Sequence, residues 1–373
     1  SRVDRLRPPG HDPALERPVP MDLRACIVKT AQSLLACPTA PFREDAVRQA
    51  ILAFCAARDL ETEVDGVGNV IVTARGRRAG PVYGFCAHMD HPGFLIETDS
   101  PGGVTEARFH GSVRESYFAG ASARIFTDEG DVTGKVVETR FTGDRTAQRV
   151  LIETQGPVRR GDIAMWDLPA MEQRDGLLYS RACDDLVGCV SVLALLDQWR
   201  RRELDQTVLG IFTVAEEAGF QGAKHLCLSG ALAPATRLIA IEPSAATAVA
   251  PIGDGVVIRV GDRVSVFPPA MSAFLADVAA QLANRKPRFR YQRALMDGGV
   301  CESTIYQAFG FLNGAVCVPL GNYHNQNRET GAIDAEYVSM DDLVNMVDLF
   351  LAIVREGERY DALAVAGPPR YTR

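Results

Sequence analysis

Val208-Leu-Gly-Ile-Phe-Thr213-Val-Ala-Glu216-Glu217-Ala-Gly219 is a continuous apolar run of strand length that ends in two adjacent carboxylates. An unbroken run of this kind reads as a strand buried on both faces, as inside a parallel sheet. Neighbouring side chains at a strand end point in different directions, so one glutamate can bind a metal while the other works as a base. Gly219, Gly222 and a helical pattern follow, which places the pair at the carboxyl edge of a sheet, where α/β folds bind their ligands. The plainer alternative is a solvated Glu-Glu pair at a helix start, favoured there by the helix dipole, and for a lone pair of glutamates that is the default.

Other parts of the chain repeat the pattern. Val82-Tyr-Gly-Phe-Cys-Ala-His88-Met-Asp90 is a second buried-strand run, ending in His-x-Asp. A metal-binding histidine commonly donates its other ring nitrogen to a carboxylate, and Asp90 is placed to receive it; a capped turn is the competing reading. Leu238-Ile-Ala-Ile-Glu242 is a third such run, and Gly314–Leu320 a fourth, followed by Gly321-Asn-Tyr-His324. Asp184-Asp185 stands before the almost wholly apolar helix Leu186–Trp199; an N-cap is the plainer reading, but two successive aspartates in a chain with other candidate ligands favour a metal role.

Around these runs the chain alternates. Asp22–Cys37 and Arg43–Leu60 have helical apolar spacing and are separated by Pro38 and Pro41; Glu61–Asp65 and Asn69–Thr73 read as strands. From 102 to 173 short β-like runs alternate with Gly- and Asp-containing turns, without helical periodicity, which predicts an inserted small β-barrel. Helices are expected at Gln221–Leu228, Pro269–Asn284 and Val338–Glu356, and Asp297-Gly298-Gly299-Val-Cys301-Glu302 opens another. The fold class is therefore α/β: a mixed, mainly parallel sheet flanked by helices, spanning 22–101 and 174–358, interrupted by the barrel. Residues 1–21, rich in Pro and Arg and lacking an apolar core, read as an extended arm and not a signal peptide; 359–373 reads as a C-terminal tail.

Composition limits the function. The 47% apolar and 23% charged shares are those of an ordinary soluble globular protein, and the net charge of −7 argues against nucleic acid or an anionic membrane as partner. The nine cysteines are scattered, with no C-x-x-C pair, which fits a reducing cytoplasm better than a disulfide framework or a cysteine-held zinc.

His88, Glu216-Glu217, Glu242 and His324 each follow or end a buried strand, and Asp184 begins a helix beside the sheet. Mixed nitrogen and oxygen ligation without cysteine suits zinc, cobalt or manganese, and carboxylates can bridge two ions. Such a pair activates water for amide hydrolysis, and a spare carboxylate takes its proton.

The ordered motifs resemble those of the tetrahedral aminopeptidases, dinuclear metallopeptidases that include glutamyl and lysyl aminopeptidases. They are Ala87-His88-Met89-Asp90, Cys183-Asp184-Asp185 with Gly188-Cys189, Thr213-Val-Ala-Glu216-Glu217, Ile241-Glu242, Ile258-Arg-Val-Gly261-Asp262-Arg263, Gly298-Gly299 and Tyr323-His324. The resemblance implies that Asp184 bridges the metals, that His88 and Glu242 complete one ion's sphere, and that Glu217 and His324 complete the other's. It makes Glu216 the general base and Asp90 the group orienting His88. It also implies dimers formed through the β domain, and twelve-subunit particles. Departures cluster where substrate is held: Glu242 in place of the usual Asp, His91 in place of Glu, and Val300-Cys301 in place of Thr-Asp. They mark His91, Gly298, Gly299 and Cys301 as candidate substrate-binding positions. Two enzymatic readings remain open, an aminopeptidase acting on a peptide with a free N-terminus and an amidohydrolase, deacylase or carboxypeptidase-type hydrolase of the same clan acting on an N-acylated or other small amide; the intact ligand set speaks against a non-catalytic assembly protein.

Overall fold

The computed structural model describes residues 22–140 and 147–366; the expected arm at 1–21 lies outside the described residues. The strands are β1 Glu61–Val64, β2 Val70–Ala74, β3 Arg78–His88, β4 Gly93–Ile96, β5 Gly103–His110, β6 Ser122–Thr127, β7 Gly130–Arg140, β8 Ala147–Thr154, β9 Ile163–Trp166, β10 Glu172–Arg174, β11 Leu177–Ser180, β12 Gln206–Thr213, β13 Arg237–Ala245, β14 Val256–Gly261, β15 Tyr291–Leu295, β16 Asn313–Gly321, β17 Gln326–Asn327, β18 Ala332–Ile333 and β19 Glu336–Ser339. The helices are α1 Leu23–Leu34, α2 Asp45–Ala56, α3 Leu186–Arg201, α4 Gln221–Ser229, α5 Pro269–Arg285, α6 Glu302–Ala308, α7 Met340–Glu356 and α8 Arg359–Ala366.

The large sheet runs β1-β2-β12-β3-β13-β16-β19-β11-β10, with β14 and β15 attached beside β16. Its centre, β12-β3-β13-β16, is parallel, and antiparallel strands flank it on both sides. The apolar runs read from the sequence as doubly buried are these four central strands. Alternation divides their side chains between two layers of helices. Phe85, Ala87, Phe212, Ile239, Ile241, Val316 and Val318 pack with α1, α3, α5 and α7. Cys86, Ile211, Leu238, Ala240 and Ala315 pack with α4 and α6. A two-residue period on a sheet covered on both faces produces this division.

Strands β4-β5-β8-β7-β6-β9 close into a separate barrel around Phe94, Phe109, Phe118 and Trp166. The Phe94–Phe109 and Phe94–Trp166 ring centroids both lie 4.8 Å apart in edge-on packing. The barrel starts at Gly93, ahead of the expected position 102, because Gly93–Ile96 pairs with β5 and β9 and not with the large sheet. Closure of β4 on β9 depends on partners distant in the chain. The segment read as a tail begins with α8, anchored by Tyr360 edge-on to Phe274 and by Arg237 bonded to Asp361.

Candidate metal centre

Parallel order places the four strand ends side by side. Thr213 of β12 pairs with His88 of β3, and Ala240 of β13 pairs with Cys86, so Glu242 stands level with His88. Two groups of side chains converge there: His88, Glu216 and Glu242, and Asp184, Glu217 and His324, the ligand atoms within each lying within 4.8 Å of one another. Asp184 links them: its Oδ1 is 3.4 Å from His88 Nε2 and its Oδ2 3.5 Å from His324 Nε2. His324 Nε2 lies 2.8 Å from Glu217 Oε1, and His88 Nε2 lies 3.9 Å from Glu216 Oε2.

Each group is braced from behind. His88 Nδ1 faces the Asp90 carbonyl oxygen at 3.1 Å and its Oδ1 at 3.4 Å. Asp90 also accepts the backbone N–H groups of Glu216 and Glu217, at 2.9 and 3.0 Å, so one carboxylate sets both the histidine and the Glu-Glu turn. The other histidine, His324, turns its Nδ1 to the carbonyl of Ser112 at 2.9 Å, a partner contributed by the barrel's β5–β6 connection. Asp185 Oδ2 accepts the His88 N–H, and a Cβ on Gly188 would sit 2.1 Å from Asp185 Oδ1, which requires glycine there. Gly222 permits a similar approach, since a Cβ there would come within 2.5 Å of the Val214 nitrogen. The Asp184–Asp185 peptide is cis.

The candidate substrate positions divide. Gly298 and Gly299 line a cavity of about 230 Å³ beside Glu242, together with Ser244, Arg259, Asp297 and Tyr323. His91 and Cys301 do not line it: both are wholly buried. His91 bonds the Asp184 carbonyl and Asn325 Oδ1, so it supports the metal-site backbone. Cys301 packs with Cys86, Ala223 and Tyr306 beneath the sheet. Sequence reasoning missed Glu336, wholly buried, which accepts the N–H groups of Cys183, Asp184 and His324 at 2.8, 3.0 and 2.8 Å. In Ala335-Glu336-Tyr-Val it reads as an ordinary strand residue.

The electrostatics show a deficit of positive charge. Burial pushes the Glu216 and Glu242 carboxyls well above the usual carboxylate range. Burial alone would lower both imidazoles, yet neighbouring carboxylates hold His88 and His324 well above the histidine range. Asp184, despite burial, is held low by the two histidines. Glu242 Oε1 is buried without a hydrogen-bond partner among the described residues, while Asp184 Oδ1 and His324 Nε2 face other members of the two groups. Orphaned buried donors and acceptors are costly, and crowded carboxylates repel; divalent cations remove both penalties, so the donor set fits two metal ions.

A model of the M42 glutamyl aminopeptidase family matches residues 152–349, more than half of the chain. The glutamyl aminopeptidase of Lactococcus lactis subsp. cremoris (strain MG1363) is 25% identical over 262 residues, 63% of this chain and 73% of that protein. An aminopeptidase from the archaeon Desulfurococcus kamchatkensis shares the fold at a TM-score of 0.75 and 22% identity, covering 94% of this chain and 100% of that one. The TET1 peptidase of Pyrococcus horikoshii, described as assembling into a tetrahedron or a large octahedral shell, shares it at 0.73 and 22%, covering 88% and 99%. With its sheet, inserted barrel and acidic two-histidine centre, the chain belongs to the M42 glutamyl aminopeptidase family.

Proposed function

We propose that the protein is a dinuclear metal-dependent aminopeptidase in which Glu216 is the general base. The observation that carries this reading is the pair of adjoining ligand groups linked by Asp184 at the ends of four parallel strands. His88, Asp184, Glu217, Glu242 and His324 would hold two divalent ions, with zinc preferred and cobalt or manganese as alternatives. When bound, such ions supply Lewis-acid polarisation of the scissile carbonyl and a more acidic water. Glu216 takes the proton of the attacking water and delivers it to the leaving amine nitrogen. Asp90 keeps His88 in one ring orientation and keeps Glu216 and Glu217 in register.

The cavity beside Glu242 holds the N-terminal side chain in this reading. Buried Arg259, whose Nε makes no hydrogen bond among the described residues, and Arg328 both line it, which favours an acidic residue. The glutamyl aminopeptidase of L. lactis supports the same preference. The barrel would serve in self-association as a dimer or a twelve-subunit shell; self-association itself is supported by the Pyrococcus neighbour's description as a tetrahedron or a large octahedral shell. All nine cysteines are free, which supports a cytoplasmic location. No described helix is long and apolar enough to cross a membrane.

The test is hydrolysis by zinc-, cobalt- and manganese-loaded protein of glutamyl, leucyl and lysyl peptides, free and N-acetylated. Turnover of free peptides only, fastest for glutamyl, is the expected result. Turnover confined to acetylated substrates would replace the aminopeptidase reading with a deacylase.

A further inference from the structure

The turn that carries the base is held by side chains from outside its own strand. Val214 donates its N–H to Asn69 Oδ1 at 3.0 Å, and Ala215 donates to Glu44 Oε1 at 2.9 Å. Glu216 and Glu217 donate to Asp90. Four consecutive backbone N–H groups are thus taken by three distant side chains. Ala215 occupies left-handed backbone space, with φ of 49°. A residue with a Cβ is disfavoured in that conformation and keeps it only where its surroundings impose it.

Glu44 is suited to impose it. It stands immediately before α2, only 3% exposed, and the same Oε1 accepts the Phe42 N–H at 2.8 Å. Its loop is fixed on both sides. Thr39 Oγ1 bonds the Met89 carbonyl at 2.8 Å, next to His88. On the barrel side, Thr39 N–H meets Met165 Sδ, Arg43 bonds the Gly161 carbonyl and Phe42 packs edge-on to His110. Glu44 therefore reaches Ala215 from a loop anchored to both the barrel and the neighbouring strand end.

We propose that Glu44 is a positioning residue for the general base: by accepting the Ala215 N–H it maintains the left-handed turn that aims Glu216 at the scissile bond. This rests on Glu216 being that base. Asp90 also shapes the turn, but it contacts His88 and its loss would disturb the metal. Asn69 holds Val214, one residue further from Glu216. Among the described residues Glu44 accepts from the Phe42 and Ala215 backbone and bonds no candidate ligand side chain, so changing it isolates orientation from metal binding.

The experiment compares Glu44→Ala, Glu44→Gln and Glu216→Gln with the parent, all metal-loaded, on the fastest free peptide of the set above. Metal content is measured for each protein. Misaiming a reacting group by about 1 Å costs roughly a hundredfold in rate. Glu44→Ala should therefore lose about ten- to a hundredfold in kcat with KM and metal content unchanged. Glu44→Gln retains an oxygen acceptor and should keep most of the parent kcat. Burial, then the Asp90 charge, pushes the Glu44 carboxyl up to about 8, so a neutral amide is a close mimic near pH 7. Full kcat in Glu44→Ala, or equal loss in Glu44→Gln, would overturn the proposal. Should Glu44→Ala not fold, Glu44→Asp replaces it: one methylene shorter, it keeps the carboxyl group but sets it back from the Ala215 N–H, and an undiminished kcat would overturn the proposal equally. An active Glu216→Gln would remove the base assignment itself; an inactive Glu216→Gln beside a fully active Glu44→Ala would remove only the positioning role.

Discussion

Glu336 shows how much a single side chain contributes here without touching the chemistry. Its two oxygens take three backbone N–H groups, those of Cys183 and Asp184 and that of His324, which itself has left-handed φ of 53°. Burial pushes its carboxyl up to about 7, a penalty that the fold accepts for those bonds. Glu336→Ala strands three buried donors, each worth about 1–3 kcal/mol when left unsatisfied. The metal-free variant should lose about 3 kcal/mol or more of unfolding free energy in urea titration. A loss below 1 kcal/mol would show that other groups hold these loops. His91 teaches the same lesson from the opposite direction: its departure from the family's Glu made it a substrate candidate, and its burial between Asp184 and Asn325 makes it a support. Sequence shows which residue types sit near a motif, whereas the direction of a side chain depends on neighbours more than ninety residues away.

Among the elements, α7 has the most legible origin. Apolar residues at Leu343, Met346, Val347, Phe350, Leu351 and Val354 follow helical spacing, and all are buried. Ser339 caps it, accepting from Asp341 and Asp342. The helix's first turn also carries Asp342, whose carboxylate accepts the N–H groups of Gly253 and Gly255 and so ties down the loop after β13. Burial raises the Asp342 carboxyl to about 6 from an ordinary 3.8, outweighing those two bonds. Its contribution to stability is therefore full below about pH 4 and is lost as pH rises through about 6, an amplitude of about 3 kcal/mol. Measured against Asp342→Asn, the parent protein should lose stability from pH 4 to 6 in chemical denaturation. A difference that is flat over that interval would show that the carboxyl titrates normally.

At the scale of the whole molecule, the centre is an assembly of strand ends and a seam. The barrel reaches the metal site through the Ser112 carbonyl on His324, and beside it Arg114 N–H bonds Gln326 Oε1 at 3.0 Å. Crowded carboxylates without cations oppose the fold, so bound ions should stabilise the entire protein through linkage. Chelation should lower the thermal midpoint, and zinc, cobalt or manganese should restore it. Because His88, His324 and the carboxylates bind protons where ions would sit, the restoring metal concentration should rise as pH falls. A midpoint that does not move although chelation is verified to have removed bound metal would overturn the charge argument for this centre.

The apolar runs ending at Glu216, His88 and Glu242, and the run before His324, identified the buried strands and most of the centre's residue types, because strand burial and ligand chemistry are written locally. The alternation of β-like runs and turns likewise marked the barrel. Strand order was not readable: that β12, β3, β13 and β16 lie side by side and parallel follows from pairing between segments far apart in the chain. Only that pairing brings Asp184 between the two histidines. The supports at Glu44, Asn69, Glu336 and Ser112 were silent for the same reason, since a backbone hydrogen bond across the fold imposes no pattern on the sequence near either partner. Local physics determined what each element is; the tertiary structure decided which groups meet and which of them face the cavity.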